Sequence, residues 1–173
     1  MRKVDLTAGD VIRHFDLRPL PVEGGYYRVS YKGDLQLPAS VLPPSICSAR
    51  PAKSVIYYLL TADTQSRLHR LEIDEMWHFY MGDWVDLYVF GSEDDYTNVQ
   101  LGHNFMDGQT VQAVVPAHSW FGARLRRGGR WALMACSLAP AYSDEDFSLP
   151  NDEEFASLLA RFPDQEQILR ELR

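Results

Sequence analysis

The sequence is poor in cysteine and contains no long uninterrupted apolar run. Its two cysteines, Cys47 and Cys136, make no disulfide framework, and neither belongs to a Cys-x-x-Cys pair. The apolar runs are too short for a transmembrane helix. No apolar segment of the kind found in signal peptides follows the charged residues 1–5. These absences predict a cytoplasmic protein that has no membrane partner.

The chain also lacks an excess of positive charge. It has 17 lysines and arginines against 24 acidic residues, which gives a formal net charge of −7. Non-specific binding to nucleic acid requires a basic surface, so no nucleic-acid partner is expected. A length of 173 residues suits one hydrophobic core and is short for two, which predicts a single domain over residues 1–173.

Short aromatic and β-branched runs fill the middle of the chain. Turn signals such as Gly82-Asp83 and Gly128-Gly129 separate many of them. Many short strands without an intervening helix predict an all-β sandwich or closed barrel, with its core over about residues 24–140. The predicted strands are 26–31, 54–60, 67–71, 75–81, 84–90, 98–101, 110–115, 119–125 and 131–137.

Helix signals are confined to the two ends of the chain. Thr7 followed by Asp10 resembles a capping box at the start of an amphipathic segment. Asn151 is a typical N-cap for a second helix, and Pro163 a typical first residue of a third. The sequence therefore predicts short N- and C-terminal helices, the latter within about residues 151–172.

The residues most typical of a functional site lie between His69 and Gly82. Residues two apart in a strand face the same way, so His69 is predicted to point inward together with Leu71. After a turn, Glu75 and Trp77 are predicted to share the inner face, so that His69 and Glu75 converge. From the residues alone, two alternatives stay open. His69 can be an ordinary core histidine, and Glu75 can be a solvent-exposed acid.

This spacing resembles the first signature motif of the cupin superfamily, which reads His, one residue, His, three residues, Glu, six residues, Gly. His69, Glu75 and Gly82 match, and Leu71 occupies the position of the second His. In metal-binding cupins a third His comes from a later motif, and its position here is Phe121. Two of the four metal-ligand positions that the resemblance implies are therefore apolar.

A metal held only by His69 and Glu75 would bind weakly, because first-row metals usually take three or four protein ligands. His78 or His118 are the remaining candidate ligands, although strand alternation places His78 on the face opposite Glu75. A divalent metal is therefore an open but disfavoured cofactor, and no other is indicated. The alternative is a metal-free pocket in which Glu75 bonds His69 or a ligand.

A longer series of strings resembles the cupin-5 family, a branch of unknown function, over roughly residues 6–150. The strings are Glu23-Gly24-Gly25-Tyr26-Tyr27-Arg28 and those at residues 54–60, 69–71, 74–79, 114–117 and 146–147. The family usually begins with Pro-His-Pro-Glu-Gly-Gly, whereas here Leu20 stands at that His and Val22 is an extra residue. His118 stands where a glycine is usual.

The cupin-5 resemblance implies a jelly-roll barrel, usually dimeric, with a pocket at one end. It also implies relatives among metal-free sugar-nucleotide epimerases and sugar-phosphate isomerases. The first hypothesis is therefore an isomerase or epimerase acting on a sugar-like, anionic substrate. His69 would be the base, oriented by Glu75, and Tyr26 or Tyr27 the acid on the opposite face.

Further residues are predicted to contact the substrate. Arg28, Arg67 and Arg70 are candidates for an anionic group, since a guanidinium pairs with phosphate or carboxylate through two hydrogen bonds. Surface ion pairs are the plain alternative for them, and ordinary core packing is the alternative for the tryptophans. The other predicted contacts are Glu23, Gly25, Ser66, Trp77 and Trp120.

Two other functions fit the same sequence. One is a non-catalytic barrel that binds a small ligand, and the other is a metal-dependent cupin enzyme such as a dioxygenase. A homodimer is expected in each case, chiefly from the resemblance and because the open sheet edges of a jelly roll need cover.

Overall fold

The computed structural model describes residues 5–92 and 95–173. Four short 3₁₀ segments, Ala39–Val41, Phe105–Asp107, Asp144–Asp146 and Pro163–Gln165, lie between the larger elements. The helices and strands of this part of the chain are α1 (Ala8–Phe15), β1 (Arg18–Pro19), β2 (Tyr26–Lys32), β3 (Gln36–Leu37), β4 (Arg50–Pro51), β5 (Ser54–Thr61), β6 (Gln65–Leu71), β7 (Glu75–Gly82), β8 (Val85–Phe90), β9 (Tyr96–Leu101), β10 (Gln112–Val115), β11 (Trp120–Leu125), β12 (Trp131–Leu138), β13 (Phe147–Ser148), α2 (Asp152–Arg161) and α3 (Glu166–Leu172).

The strands form two large antiparallel sheets. The six-stranded sheet has the order β1-β2-β5-β12-β7-β10, and the five-stranded sheet has the order β13-β6-β11-β8-β9. Strands β3 and β4 pair separately. This arrangement is a two-sheet jelly roll with short terminal helices, which confirms the predicted fold class. The sheets pack face to face and remain open at their edges.

The core lies between the inner faces of the two sheets. Tyr58, Trp77 and Met134 from the six-stranded sheet are fully buried against Leu87 and Phe121 from the five-stranded sheet. Because successive strand residues point to opposite faces, Trp77 and Phe79 of β7 both enter this core. The burial of such large side chains is the main stabilising contribution to the fold.

The helices cover the outer faces of the sheets. Helix α1 begins at the Thr7–Asp10 capping box and packs Val11 on the six-stranded sheet. Helices α2 and α3 pack on the five-stranded sheet, where Phe155 and Leu172 contact the outer side of β6 and β11. None of the helices within residues 5–92 and 95–173 is long and apolar enough to cross a membrane.

The nine predicted strands all correspond to observed ones. Their ends differ by up to two residues, since β9 begins at Tyr96 and β10 at Gln112. The prediction missed β1, β3, β4 and β13. Each has only two residues, which is too short for a pattern that repeats every second residue to be recognised.

Candidate functional site

A cavity of about 190 Å³ lies where β5 and β7 begin and β6 and β12 end, at one end of the jelly roll. Its inner part is formed by side chains of the sheets. Its outer part is formed by β2, by the 20–23 turn and by the 142–144 segment. The lining residues are Leu20, Glu23, Tyr27, Val29, Lys32, Ser54, Ile56, His69, Leu71, Glu75, Leu138, Tyr142 and Asp144.

A β-bulge in β6 determines which of its side chains reach the cavity. Phe121 pairs with His69 and Ala123 with Ser66, so three steps along β6 match two steps along β11. The extra residue reverses the alternation, and Ser66 and His69 therefore both face inward. Leu68, between them, faces outward and packs beneath the C-terminal helices.

His69 is buried, with 2% of its surface exposed, and one of its two ring nitrogens is bonded. Its Nδ1 lies 2.6 Å from the carbonyl oxygen of Arg67. A carbonyl oxygen only accepts, so Nδ1 carries the proton, and in the neutral ring Nε2 carries the lone pair. The ring is held 4.0 Å from that of Phe121 and is stacked on Phe147.

The Nε2 atom of His69 is left open to the cavity. Within residues 5–92 and 95–173 it has no hydrogen-bond partner. It is also not among the unbonded polar atoms that the protein fully encloses. Because His69 lines the cavity, Nε2 is available there as a hydrogen-bond acceptor or a base. The prediction that His69 faces inward together with Leu71 is therefore confirmed.

Glu75 occupies the same inner part of the cavity. Its side chain accepts a hydrogen bond of 2.7 Å at Oε2 from the indole Nε1 of Trp77. Burial and then the nearby charge of Glu23 raise the pKa of Glu75 to about 8, although the Trp77 hydrogen bond acts in the opposite direction. Glu75 is therefore mostly protonated at neutral pH and can donate a proton.

The expected hydrogen bond between His69 and Glu75 is not formed. His69 is bonded to the carbonyl oxygen of Arg67, whereas Glu75 is bonded to the indole of Trp77. The structure therefore does not support an imidazole oriented by Glu75. Both side chains line the same cavity as separate functional groups.

Glu23 reaches the cavity through a turn that requires glycine. Gly24 and Gly25 have φ values of 103° and 72°, which favour glycine. A Cβ on Gly25 would lie 2.9 Å from the Leu59 carbonyl oxygen. Glu23 is half-buried and accepts a 3.0 Å hydrogen bond from the hydroxyl of Ser66. Gly25 thus permits the close approach of the chain, but it is not part of the cavity lining.

The rim of the cavity contains residues that the sequence analysis missed. Tyr142, Asp144 and Lys32 line it together with the predicted Tyr27. Burial, and then the charges of Asp144 and Glu23, raise the pKa of Tyr142. All three residues line the same cavity. The Asp146-Phe147 string of the family resemblance is the sequence signal that lies next to this segment.

A buried ion pair anchors this rim segment. The guanidinium of Arg50 contacts the carboxylate of Asp146, and both side chains are nearly inaccessible. The same carboxylate accepts a 3.1 Å hydrogen bond from the backbone of Ser143. In addition, the backbone N–H of Tyr142 donates to the hydroxyl of Ser54, 3.0 Å away. These bonds fix the positions of Tyr142 and Asp144 at the mouth.

The three arginines predicted to bind an anion lie outside the cavity lining. Arg28 lies over the ring of Tyr57. Arg67 donates to the Arg173 carbonyl oxygen at the C-terminus, 2.9 Å away. Arg70 is stacked on Trp120 at 4.6 Å, on the outer side of the five-stranded sheet. We therefore do not include these arginines, or Trp120, in the proposed site.

Two other predicted aromatic contacts differ in their placement. Tyr26 packs with the α1 cluster on the outer face of the six-stranded sheet and does not reach the cavity. Trp77 is fully buried, and its ring contacts those of Tyr58 and Phe121. Trp77 therefore acts on the site through its hydrogen bond to Glu75 and not as a wall of the cavity.

The residues present do not fit a metal. His78 faces away from Glu75 and is bonded to Ser137. His118 is 58% exposed, lies 3.5 Å from Glu72 and has a φ of 65°, which explains why glycine is usual at this position. Within residues 5–92 and 95–173, no group of three or more His, Cys, Asp or Glu side chains is placed to hold an ion.

The jelly roll and its end cavity define the chain as a cupin barrel. A cupin 2 conserved barrel domain protein from Rhodopseudomonas palustris shares the fold at 15% identity, with a TM-score of 0.56 over 91% of this chain and 88% of that one. The chain belongs to the Cupin_5 family, Cupin superfamily (DUF985), whose family model matches residues 9–150. This confirms the predicted resemblance.

Two solved structures are similar to the chain over almost its whole length. A crystal structure of a protein from Shewanella oneidensis is 32% identical in sequence, with a TM-score of 0.80. The match covers 96% of this chain and 97% of that one. The structure of a hypothetical protein from Leishmania major is 27% identical, with a TM-score of 0.81. This match covers 96% of this chain and 98% of that one. No curated protein matches the sequence.

Proposed function

We propose that the protein is an isomerase or epimerase that moves a proton on a small sugar-like substrate. The observation that carries the proposal is the pairing of two groups in one cavity. His69 offers an Nε2 that no group in residues 5–92 and 95–173 bonds, and burial raises the pKa of Glu75 to about 8, which favours its protonated form at neutral pH. A base and an acid on one substrate are what enolisation beside a carbonyl requires.

The reaction would proceed through an enol or enediol, with two proton transfers forming it and two consuming it. Nε2 of His69 takes a proton from the carbon beside the substrate carbonyl, and the C–H electron pair forms a C=C bond. The carbonyl oxygen then accepts the proton of Glu75, which gives a neutral enediol or enol. For isomerisation, His69 gives its proton to the former carbonyl carbon, and the Glu75 carboxylate takes the proton of the neighbouring hydroxyl oxygen, which becomes the new carbonyl. For epimerisation, the Tyr27 hydroxyl gives a proton to the opposite face of the deprotonated carbon, and Glu75 takes its proton back from the enol oxygen. Proton exchange with water then restores neutral His69 and Tyr27.

The cavity limits the size of the substrate. Its volume of about 190 Å³ is below the roughly 300–1,000 Å³ typical of small-molecule sites. An outer recess of about 380 Å³ shares Leu20, Glu23, Tyr27, Tyr142 and Asp144 with it. The reacting carbons would occupy the inner part, and the rest of a monosaccharide-sized substrate the outer recess. The hydroxyl of Tyr27 is the second candidate proton donor.

Deuterium exchange tests the proposal without knowledge of the product. The protein is incubated in D₂O with a panel of aldoses and ketoses that includes aminated and phosphorylated forms, and C–H to C–D exchange beside the carbonyl is followed by NMR. We expect exchange with at least one sugar, and its loss in a folded His69→Ala variant. Exchange that survives in His69→Ala would eliminate His69 as the base.

A non-catalytic binding barrel gives a different result in the same experiment. It predicts that a sugar raises the melting temperature by preferential binding to the folded state while no deuterium is incorporated. Stabilisation without exchange across the whole panel would reject the isomerase proposal and retain the binding function.

We also propose a cytoplasmic homodimer. The outer face of the six-stranded sheet exposes apolar side chains, with Val114 51% and Tyr80 44% accessible, and a second copy of the chain would cover them. Cys47 and Cys136 are both free thiols, which supports a reducing compartment. Sedimentation equilibrium at micromolar concentration should give twice the mass of one chain, whereas a monomer mass would reject the dimer.

A further inference from the structure

We infer that the ligand of the end cavity carries a protonated amine, bound at the rim between the carboxylates of Glu23 and Asp144 and the rings of Tyr27 and Tyr142. This replaces the anionic substrate expected from the sequence. The inference rests on the proposed function only in taking this cavity as the ligand site. It adds the charge and the chemical class of the ligand.

The charges of the lining residues favour a cation. Three carboxyl groups, those of Glu23, Glu75 and Asp144, line the cavity, and Lys32 is the one lysine or arginine among its described lining residues. A phosphate entering the mouth would therefore approach two carboxylates, with the ammonium group of Lys32 as the one cationic group among the described lining residues. An ammonium group at the same place would gain charge-assisted hydrogen bonds to both carboxylates.

The aromatic rings at the rim favour the same ligand. Tyr27 and Tyr142 line both the inner cavity and the outer recess, next to Glu23 and Asp144. Tyr142 is 39% exposed, so its ring is accessible to a ligand. Ring faces attract cations, and a carboxylate beside such a face is a common combination for binding an ammonium group.

The inner part of the cavity requires a different portion of the ligand. His69 is 2% and Glu75 7% exposed, and each has an oxygen or nitrogen without a hydrogen-bond partner in the described residues. Neither of these atoms is sealed from the cavity. A hydroxyl or carbonyl group of the ligand would complete both bonds. The two ends together describe an amino sugar or a comparable aminated polyol.

Matched ligands test this inference by calorimetry. Monosaccharides with an amino group at carbon 2, 3 or 6 are titrated at pH 7 beside their hydroxyl, N-acetyl and 6-phosphate counterparts. We expect at least one amino sugar to bind tenfold or more tightly than each of its counterparts, and salt to weaken only this binding. Tighter binding of a phosphate, equal binding of all forms or no binding of any amine would overturn the inference.

Variants of the rim carboxylates locate the amine. Asp144→Asn should weaken amino-sugar binding at least tenfold and leave the hydroxyl counterpart unchanged, and Glu23→Gln should do the same. Asp144 is exposed, so Asp144→Asn is expected to fold. This variant keeps the test valid if Glu23→Gln is destabilised because it disturbs the hydrogen bond between Ser66 and Glu23. Asp63→Asn, an exposed acid at the opposite end of β5, is the matched control and should change nothing.

The two proposals fail in different ways. An amine preference without deuterium exchange supports the charge inference and rejects the isomerase. Exchange on neutral or phosphorylated sugars, with no amine preference in binding and no effect of Asp144→Asn, supports the isomerase and rejects the inference.

Discussion

His69 and His78 lie in consecutive strands and differ in what their ring nitrogens bind. His69 in β6 faces the cavity, where Nδ1 is bonded to a backbone carbonyl and Nε2 has no partner in the described part of the chain. His78 in β7 faces outward, and its nitrogens lie 2.9 Å from the Ser137 hydroxyl and 3.1 Å from the Gln112 amide. Only His69 can accept a proton from a ligand without first losing a protein contact.

This comparison shows what decides whether a histidine can act as a base. The strand face that it occupies and the partners of its ring nitrogens matter more than how deeply the side chain is buried. His69 is the more buried of the two, yet it is the one whose free nitrogen lies next to a cavity. Partial burial lowers the pKa of His78, and His78 is not among the described residues that line the cavity. The predictions below test this contrast, beginning with the largest effect.

Replacing His69 should abolish turnover, whereas replacing His78 should not. We expect His69→Gln to lower the rate of deuterium exchange by about 10²- to 10⁴-fold, the usual contribution of a general base. His78→Gln keeps two hydrogen-bonding groups on the outer face and should change the rate less than about twofold. Comparable losses in both variants would contradict the assignment of the base.

Glu75 should make the stability of the fold decrease as the pH rises. Its pKa is about 8 in the folded protein and 4.5 in an ordinary environment, so the folded state holds the proton more tightly. Its stabilising contribution is therefore complete below about pH 4.5 and is lost as the pH rises through 8. The difference corresponds to at most about 5 kcal/mol.

Urea denaturation at several pH values measures this effect. We expect the free energy of unfolding of wild type to fall relative to that of Glu75→Gln between pH 5 and 9, since glutamine cannot ionise. Glu153→Gln, at an exposed position, should follow wild type. Parallel pH profiles for wild type and Glu75→Gln would show that Glu75 ionises normally.

Trp77→Phe should raise the pKa of Glu75 further. The indole N–H stabilises the ionised carboxylate through a 2.7 Å hydrogen bond, and phenylalanine removes it. We expect a loss of about 1–3 kcal/mol in unfolding free energy from the smaller ring and the missing bond. NMR titration of the Glu75 carboxyl carbon gives the pKa, and a downward change would contradict the assigned role of Trp77.

Ser137→Ala should have the smallest effect. It removes the hydroxyl that bonds His78 Nε2 on the outer face, a loss worth about 0.5–1.5 kcal/mol of stability. Deuterium exchange should remain at the wild-type rate because the cavity is untouched. A large loss of turnover in this variant would show that the outer face takes part in the reaction.

Sequence patterns predict the strands and helices well because these patterns are local, whereas the jelly-roll arrangement came from the family resemblance. The alternation in β7 and the helix caps at Thr7 and Asn151 all depend on residues close together in the chain. The β6 bulge was not predictable from alternation, because it arises from the pairing with β11. It turns Ser66 inward, where alternation from His69 would place it outward.

The site was predicted only in part for the same reason. His69 and Glu75 belong to one short segment with a recognisable spacing, and the structure places both in the cavity. Tyr142 and Asp144 arrive from a distant segment held by the Arg50–Asp146 pair, a contact between residues 96 positions apart. Arginines as a class suggested an anionic ligand, but their actual partners lie outside the cavity.

The ionisation of Glu75 tests most directly the claim that one cavity holds both a base and an acid at neutral pH. The carboxyl carbon of Glu75 is followed by ¹³C NMR from pH 4 to 10, with Glu75→Gln used to assign the signal. The claim predicts a midpoint of about 8, so that the group is mostly protonated at pH 7. A midpoint near 4.5, the ordinary value for a glutamate, would contradict it.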